Sequence, residues 1–255
     1  MPLPDAVRCL IECPPLALRG RARPDRRSAA SARAAHTPGA AGTRLALHDN
    51  TVDERAQVEA FIGQRYDDAF GSKVRSFMPR LHSLRDAEGT IRGAFGLRPA
   101  RERLYLEHYL NVPVEQAITE HTGVDCERGT VVEVGHLSGS FAGDVRAMIG
   151  LVTRQLHREG VRWVAFTGTA SLRNAFHRMG LRPTEVAIAT PERLPAEERL
   201  AWGDYYADSP RVFVGNVAEG ERRLIDGFAG ASAGAPVATA AGAPAVASSF
   251  EGAVR

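Results

Sequence analysis

The sequence predicts one α/β domain set between two segments that cannot form a core. Three observations carry this. Between about Leu45 and Val217, apolar residues recur as a helix, an antiparallel meander, and then strand–helix–strand–helix–strand. Within that order Val161 to Thr167 (VRWVAFT) is almost continuously apolar, the pattern of a strand buried on both faces. Outside it, residues 19–44 are rich in Arg, Ala, Gly and Pro, and residues 229–249 are Ala, Gly, Ser and Pro with two Val. Neither stretch buries enough apolar surface to offset ordering costs of roughly 1–2 kcal/mol per residue. The expected layout is a disordered tail over 1–44, a folded domain over 45–220, and a second, Ala/Gly-rich tail over 221–255.

Each element has a local cause. Leu45-Ala46-Leu47 reads as a short strand. Val58, Phe61, Ile62, Tyr66, Ala69 and Phe70 then recur at helical spacing, with Asn50, Thr51 or Asp53 as the cap and Gly71 as the left-handed stop. Leu81–Asp86 and Thr90–Leu97 flank Ala87-Glu88-Gly89 as a hairpin, and the apolar run Leu104–Leu110 is expected to pair with it. Pro113 suits the first turn of a short helix, Val114–His121, that stops at Gly123. Thr130–Leu137 (TVVEVGHL) is strand-like, and a helix with Val145, Met148, Ile149, Val152 and Leu156 on one stripe runs to Gly160. After the strand at 161–167, Leu172, Ala175, Phe176 and Met179 line another helix; Thr184–Ala189 and Arg211–Val217 are further strands. The strand–helix–strand unit at 130–167 needs a crossover, so its two strands should be parallel.

Composition excludes several classes. The net charge is +2, and the RGRARPDRR run lacks the interleaved aromatic residues of a nucleic-acid groove, so no nucleic-acid partner is expected. MPLPDAVRCLIECPPLAL does not read as a secretory signal, because acidic residues and prolines interrupt it. No run approaches the ~20 apolar residues of a membrane span. Three cysteines, two of them (Cys9 and Cys13) in the weak N-terminal segment, do not make a disulfide framework, and a cytoplasmic location is expected. There is no metal-ligand spacing, no Walker loop and no GxSxG elbow, so neither a metal nor a permanently bound cofactor is expected.

Several constellations can carry chemistry. Ser138 to Asp144 is a small-residue loop from a buried strand into a helix; with Gly139 and Gly143 it reads as a phosphate cradle or as an ordinary turn. Glu133 and His136 lie three apart on a strand and face opposite ways unless a bulge, which Gly135 permits, intervenes. A carboxylate among valines needs a partner, so Glu133 is a general base or the mate of a buried arginine such as Arg98. Arg98 itself can bind a carboxylate or phosphate in a forked contact, or pair with Glu133 or Glu107. Strand alternation places Tyr105, Glu107 and Tyr109 on one face, as a pocket wall or a wet sheet face. In WGDYYAD, Tyr205 is a general acid or a core anchor. Asn174 is a ligand contact or a surface residue.

Taken together, RYDDAFGSKVRSFMPRLHSLRD, GLRPA, LYLEHYLNVPVEQAI, VVEVGHLSG, WVAFTGTASLRNAFHRMGLRP and WGDYYADSPRVFVGN resemble the thermostable hemolysin family from about Phe61 to Asn216. More remotely the chain is similar to the acetyltransferase-like (GNAT) fold and to acyl-homoserine-lactone synthases. The resemblance implies a mixed central sheet with helices on both faces and N-acyl transfer, with acyl-CoA or an acyl carrier protein as donor and a small amine as acceptor. It implies that strands 130–137 and 161–167 splay apart around the donor. Glu133, His136 and Tyr205 then form the catalytic group, and backbone N–H near Gly135 or Leu137 binds the oxyanion. Arg98, Glu107, Tyr109, Trp163 and Phe166 meet substrate, with Phe77 and Phe95 completing an apolar tunnel. Asn174 in LRNAFHRMGL and the glycines of SGSFAGD, which replaces the usual acetyltransferase phosphate loop, meet the donor. The family name also implies the alternative of direct membrane damage, and a non-catalytic acyl-binding module is a third reading.

Overall fold

A computed structural model describes residues 46–233; the expected N-terminal tail, with Cys9 and Cys13, lies outside the described residues. The strands are β1 (Ala46–Asp49), β2 (Arg80–Arg85), β3 (Ile91–Pro99), β4 (Val131–Gly139), β5 (Trp163–Gly168), β6 (Thr184–Ile188) and β7 (Arg211–Asn216). They form one sheet in the order β1-β2-β3-β4-β5-β7-β6. Every neighbouring pair is antiparallel except β4 and β5, which are parallel, as their crossover requires.

The helices are α1 (Val52–Phe70), α2 (Val114–Thr122), α3 (Ala142–Arg158), α4 (Ala170–Arg178), α5 (Ala196–Ala201) and α6 (Val217–Ala233). For α1 the cap is Thr51, whose backbone N–H donates to the Glu54 carboxylate at 3.1 Å, and the stop is Gly71 at φ 64°. Strand alternation sends Ala94 to a cluster with Val58, Ile62, Met78 and Leu81 under α1, while its neighbour Phe95 packs with Leu97, Met148, Val152 and Leu156 under α3. The sheet is therefore covered on both faces.

Two expectations are corrected. Tyr105–Tyr109 is a 3₁₀ helix, not a strand. The edge of β3 that it was to use is taken by β4, and its backbone N–H groups find carboxylates instead: Leu104 donates to Glu107, and Tyr105 and Leu106 donate to Glu133. At the other end, helix α6 continues past residue 220 to Ala233. Leu224 explains the continuation, since it is buried with Val145, Ile149 and Leu181.

What positions the site is the middle of β4. Its pairing with β3 shifts between Gly96↔Gly135 and Ala94↔Ser138, so His136 and Leu137 together oppose Phe95. This is a β-bulge, and His136 occupies it at φ 55°, a strained value for a residue with a side chain. The bulge falls one residue after the expected Gly135. Gly135 and Gly96 are small for another reason: a Cβ on Gly135 would lie 2.3 Å from Met78 Cε, and one on Gly96 would lie 2.3 Å from Met78 Cβ.

The two glycines should respond differently. A terminal methyl can swing aside, but a Cβ cannot move without its backbone. Gly96→Ala is therefore expected to cost about 1–3 kcal/mol in urea denaturation, and Gly135→Ala clearly less. Equal costs would place the obstruction elsewhere.

Candidate active site

Just ahead of the bulge, β4 leaves β5. Pairing covers Val131↔Trp163, Val132↔Val164 and Glu133↔Ala165 and then ends, although both strands continue. The gap opens onto two cavities. The larger, of about 120 Å³, is walled by Val145, Ile149, Val152, Leu172 and Phe176 of the helices and by Val164 and Phe166 of β5. The smaller, of about 70 Å³, is walled by Phe77, Arg98, Tyr105, Tyr109, Glu133 and Trp202. Tyr66, Val134, Gly135, His136, Thr167 and Tyr205 border both, so the two cavities meet at the parting of the strands.

Glu133, the last residue of β4 paired with β5, lines the smaller cavity with 3% of its surface exposed. One carboxylate oxygen accepts the Tyr105 N–H at 2.8 Å and the other the Leu106 N–H at 3.0 Å. Arg98 faces it across the β3–β4 ladder, yet no ion pair joins the two among the described residues. Burial pushes the Glu133 carboxyl up to about 7, outweighing the two backbone bonds and the Arg98 charge, which pull it down. A carboxyl near 7 is half-ionised at neutral pH, the condition that suits a general base. His136 moves the other way. Burial, helped by Arg98, drives its imidazole down to about 4, and its buried Nδ1 has no partner. It is a neutral ring packed at 5.4 Å from Phe77 and 6.1 Å from Tyr66.

The aromatic wall is held by α1 and by the 202–206 segment. Gly203 lets that segment close onto the end of α1: its φ is 53°, and a Cβ there would lie 2.2 Å from the Phe70 carbonyl oxygen. The Asp204 N–H donates to the same carbonyl at 2.8 Å. Tyr205 is thereby buried edge-on against Phe70 at 5.1 Å. Its hydroxyl has no hydrogen-bond partner among the described residues, and burial holds its acidity well below that of a free phenol. Trp202 Nε1 donates to the Tyr105 hydroxyl, which donates to Glu198, both at 2.9 Å. The Tyr109 and Tyr206 hydroxyls share a hydrogen bond at 2.5 Å.

Of the residues expected from sequence, Arg98, Tyr109, Glu133, Gly135, His136 and Tyr205 border the smaller cavity; Gly135, His136, Leu137, Phe166 and Tyr205 border the larger. The others lie elsewhere. Glu107 is bound by Arg128 at 2.6 Å and 3.0 Å and accepts N–H groups from Leu104 and Val114, so it fixes the start of α2 rather than meeting a ligand. The strand alternation that linked it to Tyr109 does not apply on a 3₁₀ turn. Trp163 is buried with Leu104, Ile118 and Val214, and Phe95 is stacked on His82, so neither belongs to the apolar tunnel. Asn174 is on the exposed face of α4. Gly139 and Gly143 border neither cavity; Gly139 is small because a Cβ would meet Val145 at 2.6 Å, and Asp144, paired with Arg92 at 3.3 Å, places negative charge where a phosphate cradle needs none.

Sequence reasoning missed Tyr66, which borders both cavities from the core stripe of α1. It also missed Thr169, 3% exposed, whose buried hydroxyl borders the larger cavity without a partner. Tyr66 carries no signal apart from its apolar neighbours, and Thr169 reads as an ordinary helix cap.

The family model described as Thermostable hemolysin matches residues 48–221. No curated protein sequence matches the chain. Among solved structures, FeeM, an N-acyl amino acid synthase from uncultured soil microbes, superposes with a TM-score of 0.51 at 13% identity, over 74% of this chain and 100% of that one. The AHL synthase LasI gives 0.47 at 10% identity over 69% and 91%. An acetyltransferase of the GNAT family from Staphylococcus aureus Mu50 gives 0.39 at 9% identity over 68% and 99%. The fold is similar to that of FeeM, a mixed sheet with helices on both faces, as the resemblance implied. No helix among the described residues is long and apolar enough to cross a membrane.

The Glu133 environment fixes a pH dependence. A carboxyl raised by folding favours the fold while it is protonated. That stability is complete below its ordinary value of 4.5 and is lost as pH rises through 7. Relative to Glu133→Gln, the wild-type protein should lose about 2–3 kcal/mol between pH 5 and pH 8 in urea denaturation. Any fixed cost of the amide cancels in this comparison, and a flat difference would mean that the carboxyl titrates as it does in water.

Proposed function

The chain belongs to the thermostable hemolysin family, and from its split sheet we propose that it is an N-acyltransferase, moving a fatty acyl group from a CoA or acyl-carrier-protein thioester to an amine. One observation carries this: two cavities border one another where β4 and β5 part, and the smaller is lined by a buried carboxyl poised near neutrality. The synthases of like fold are named for acyl products, in keeping with the reading.

The larger cavity takes the donor. Its aliphatic and aromatic lining suits an acyl chain, and the facing edges of β4 and β5, unpaired beyond Glu133 and Ala165, offer backbone groups to an extended pantetheine arm. The smaller cavity takes the acceptor. Glu133 removes a proton from the bound ammonium, and the freed amine attacks the thioester carbonyl carbon. The C–S bond breaks as the C–N bond is completed, and the second amine proton passes through Tyr205 or water to the thiolate. Backbone N–H near Gly135 and Leu137 steadies the oxyanion; loss of one such donor costs roughly 3–4 kcal/mol in other enzymes. His136, neutral at working pH, shapes the junction without adding charge.

The test is thiol release from fatty acyl-CoA and fatty acyl carrier protein in the presence of a panel of amines. Release is expected with at least one donor, with kcat/KM rising through pH 7. Glu133→Gln should lower kcat/KM by roughly 10²–10⁴-fold and flatten that rise. Absence of thiol release with every donor, from folded protein, overturns the reading. Chain length gives a second check: Ile149→Phe, narrowing the larger cavity, should raise KM for long acyl donors and spare short ones.

A further inference from the structure

We propose that the acyl acceptor carries a carboxylate next to its amine, as an amino acid does, and that Arg98 holds that carboxylate in the smaller cavity. This rests on the acyl-transfer reading above. The observation is a cavity-lining arginine left without a partner, its Nε buried, where several other arginines of the domain are engaged. Arg85 bonds Ser83 and the Gly89 carbonyl, Arg92 meets Asp86 and Asp144, Arg128 meets Glu107 and Glu115, and Arg193 bonds His108, Leu110 and Asn111. Arg98 has no ion pair and donates no hydrogen bond among the described residues, and its Nε is fully buried without a partner.

The obvious mate is already engaged. Glu133 lies opposite Arg98 in the ladder, but each of its oxygens is held by a backbone N–H of the 3₁₀ turn. The cavity therefore keeps a fixed positive charge beside a carboxyl that is half-protonated near pH 7 and a neutral imidazole. A guanidinium in that state has a planar fork free for an anion, and a carboxylate fits the fork with two parallel bonds. Because Arg98 and Glu133 are ladder partners, the carboxylate and amine they bind must be close together in the ligand. Phe77, Tyr105, Tyr109 and Trp202 line the same cavity and suit an apolar or aromatic side chain.

Matched acceptors test this in the wild-type enzyme. Phenylalanine and glycine should exceed phenylalaninamide, glycinamide and hexylamine by at least about 10²-fold in kcat/KM of thiol release. Arg98→Met should erase that preference through KM, and Arg98→Lys should keep part of it. Thiol release that is equally efficient with carboxylate-free amines overturns the inference and leaves acyl transfer standing. If no acceptor supports release, binding decides instead, by calorimetry with N-octanoylphenylalanine and its primary amide. Tighter binding of the acid, lost in Arg98→Met, supports a carboxylate site at Arg98; equal binding of acid and amide overturns it.

Discussion

The parting of β4 from β5 is the constraint on which the rest of the site depends. A parallel pair would normally run its ladder to the end of the shorter strand. Here the ladder ends at Glu133↔Ala165, because one extra residue in β4 opposes Phe95 and turns the strand away. The bulge is supported on several sides. Met78 packs onto Gly96 and Gly135, and Ser138 closes a hydrogen bond to the His136 carbonyl at 2.9 Å. The strain of His136 at positive φ is thus held by packing on the strands around it.

Glu133 shows why a buried acid survives at this junction. An isolated carboxylate among valines would be too costly to keep. The 3₁₀ turn at Tyr105–Tyr109 supplies two N–H groups aimed at it, enough to make burial tolerable but not enough to keep the acid fully ionised near pH 7. The same carboxylate orders the turn, and the turn carries Tyr105 and Tyr109 to the cavity wall. Glu107 and Arg128 secure the other side of the turn. Two acids, Glu107 and Glu133, therefore divide the work: one is neutralised by a full ion pair and is structural, the other is left without one beside a cavity.

Outside the 104–110 segment, the sequence alone determined the order of the main elements and the parallel β4–β5 pair, because apolar period and connection length depend only on neighbours along the chain. It also marked Glu133, since an acid inside an apolar strand is costly wherever that strand ends up, and it marked Gly135 as a place where a bulge is permitted. Helix α6 past residue 220 was not legible, because Leu224 becomes core only when α3 is beside it.

Tertiary structure decided the rest. Glu107 and Tyr109 looked alike on a strand; folding made one a brace for α2 and the other a cavity wall, because backbone N–H groups took carboxylates in place of a ladder. Trp163 and Asn174 were assigned by type and motif, and the fold sent one into the core and the other to the surface. Tyr66 and Thr169 reached the cavities from elements with no local mark of it. The physical reason is common to all of them: local pattern fixes which face of an element is apolar, whereas a cavity exists only where two elements part, and that is set by contacts between residues distant in the chain.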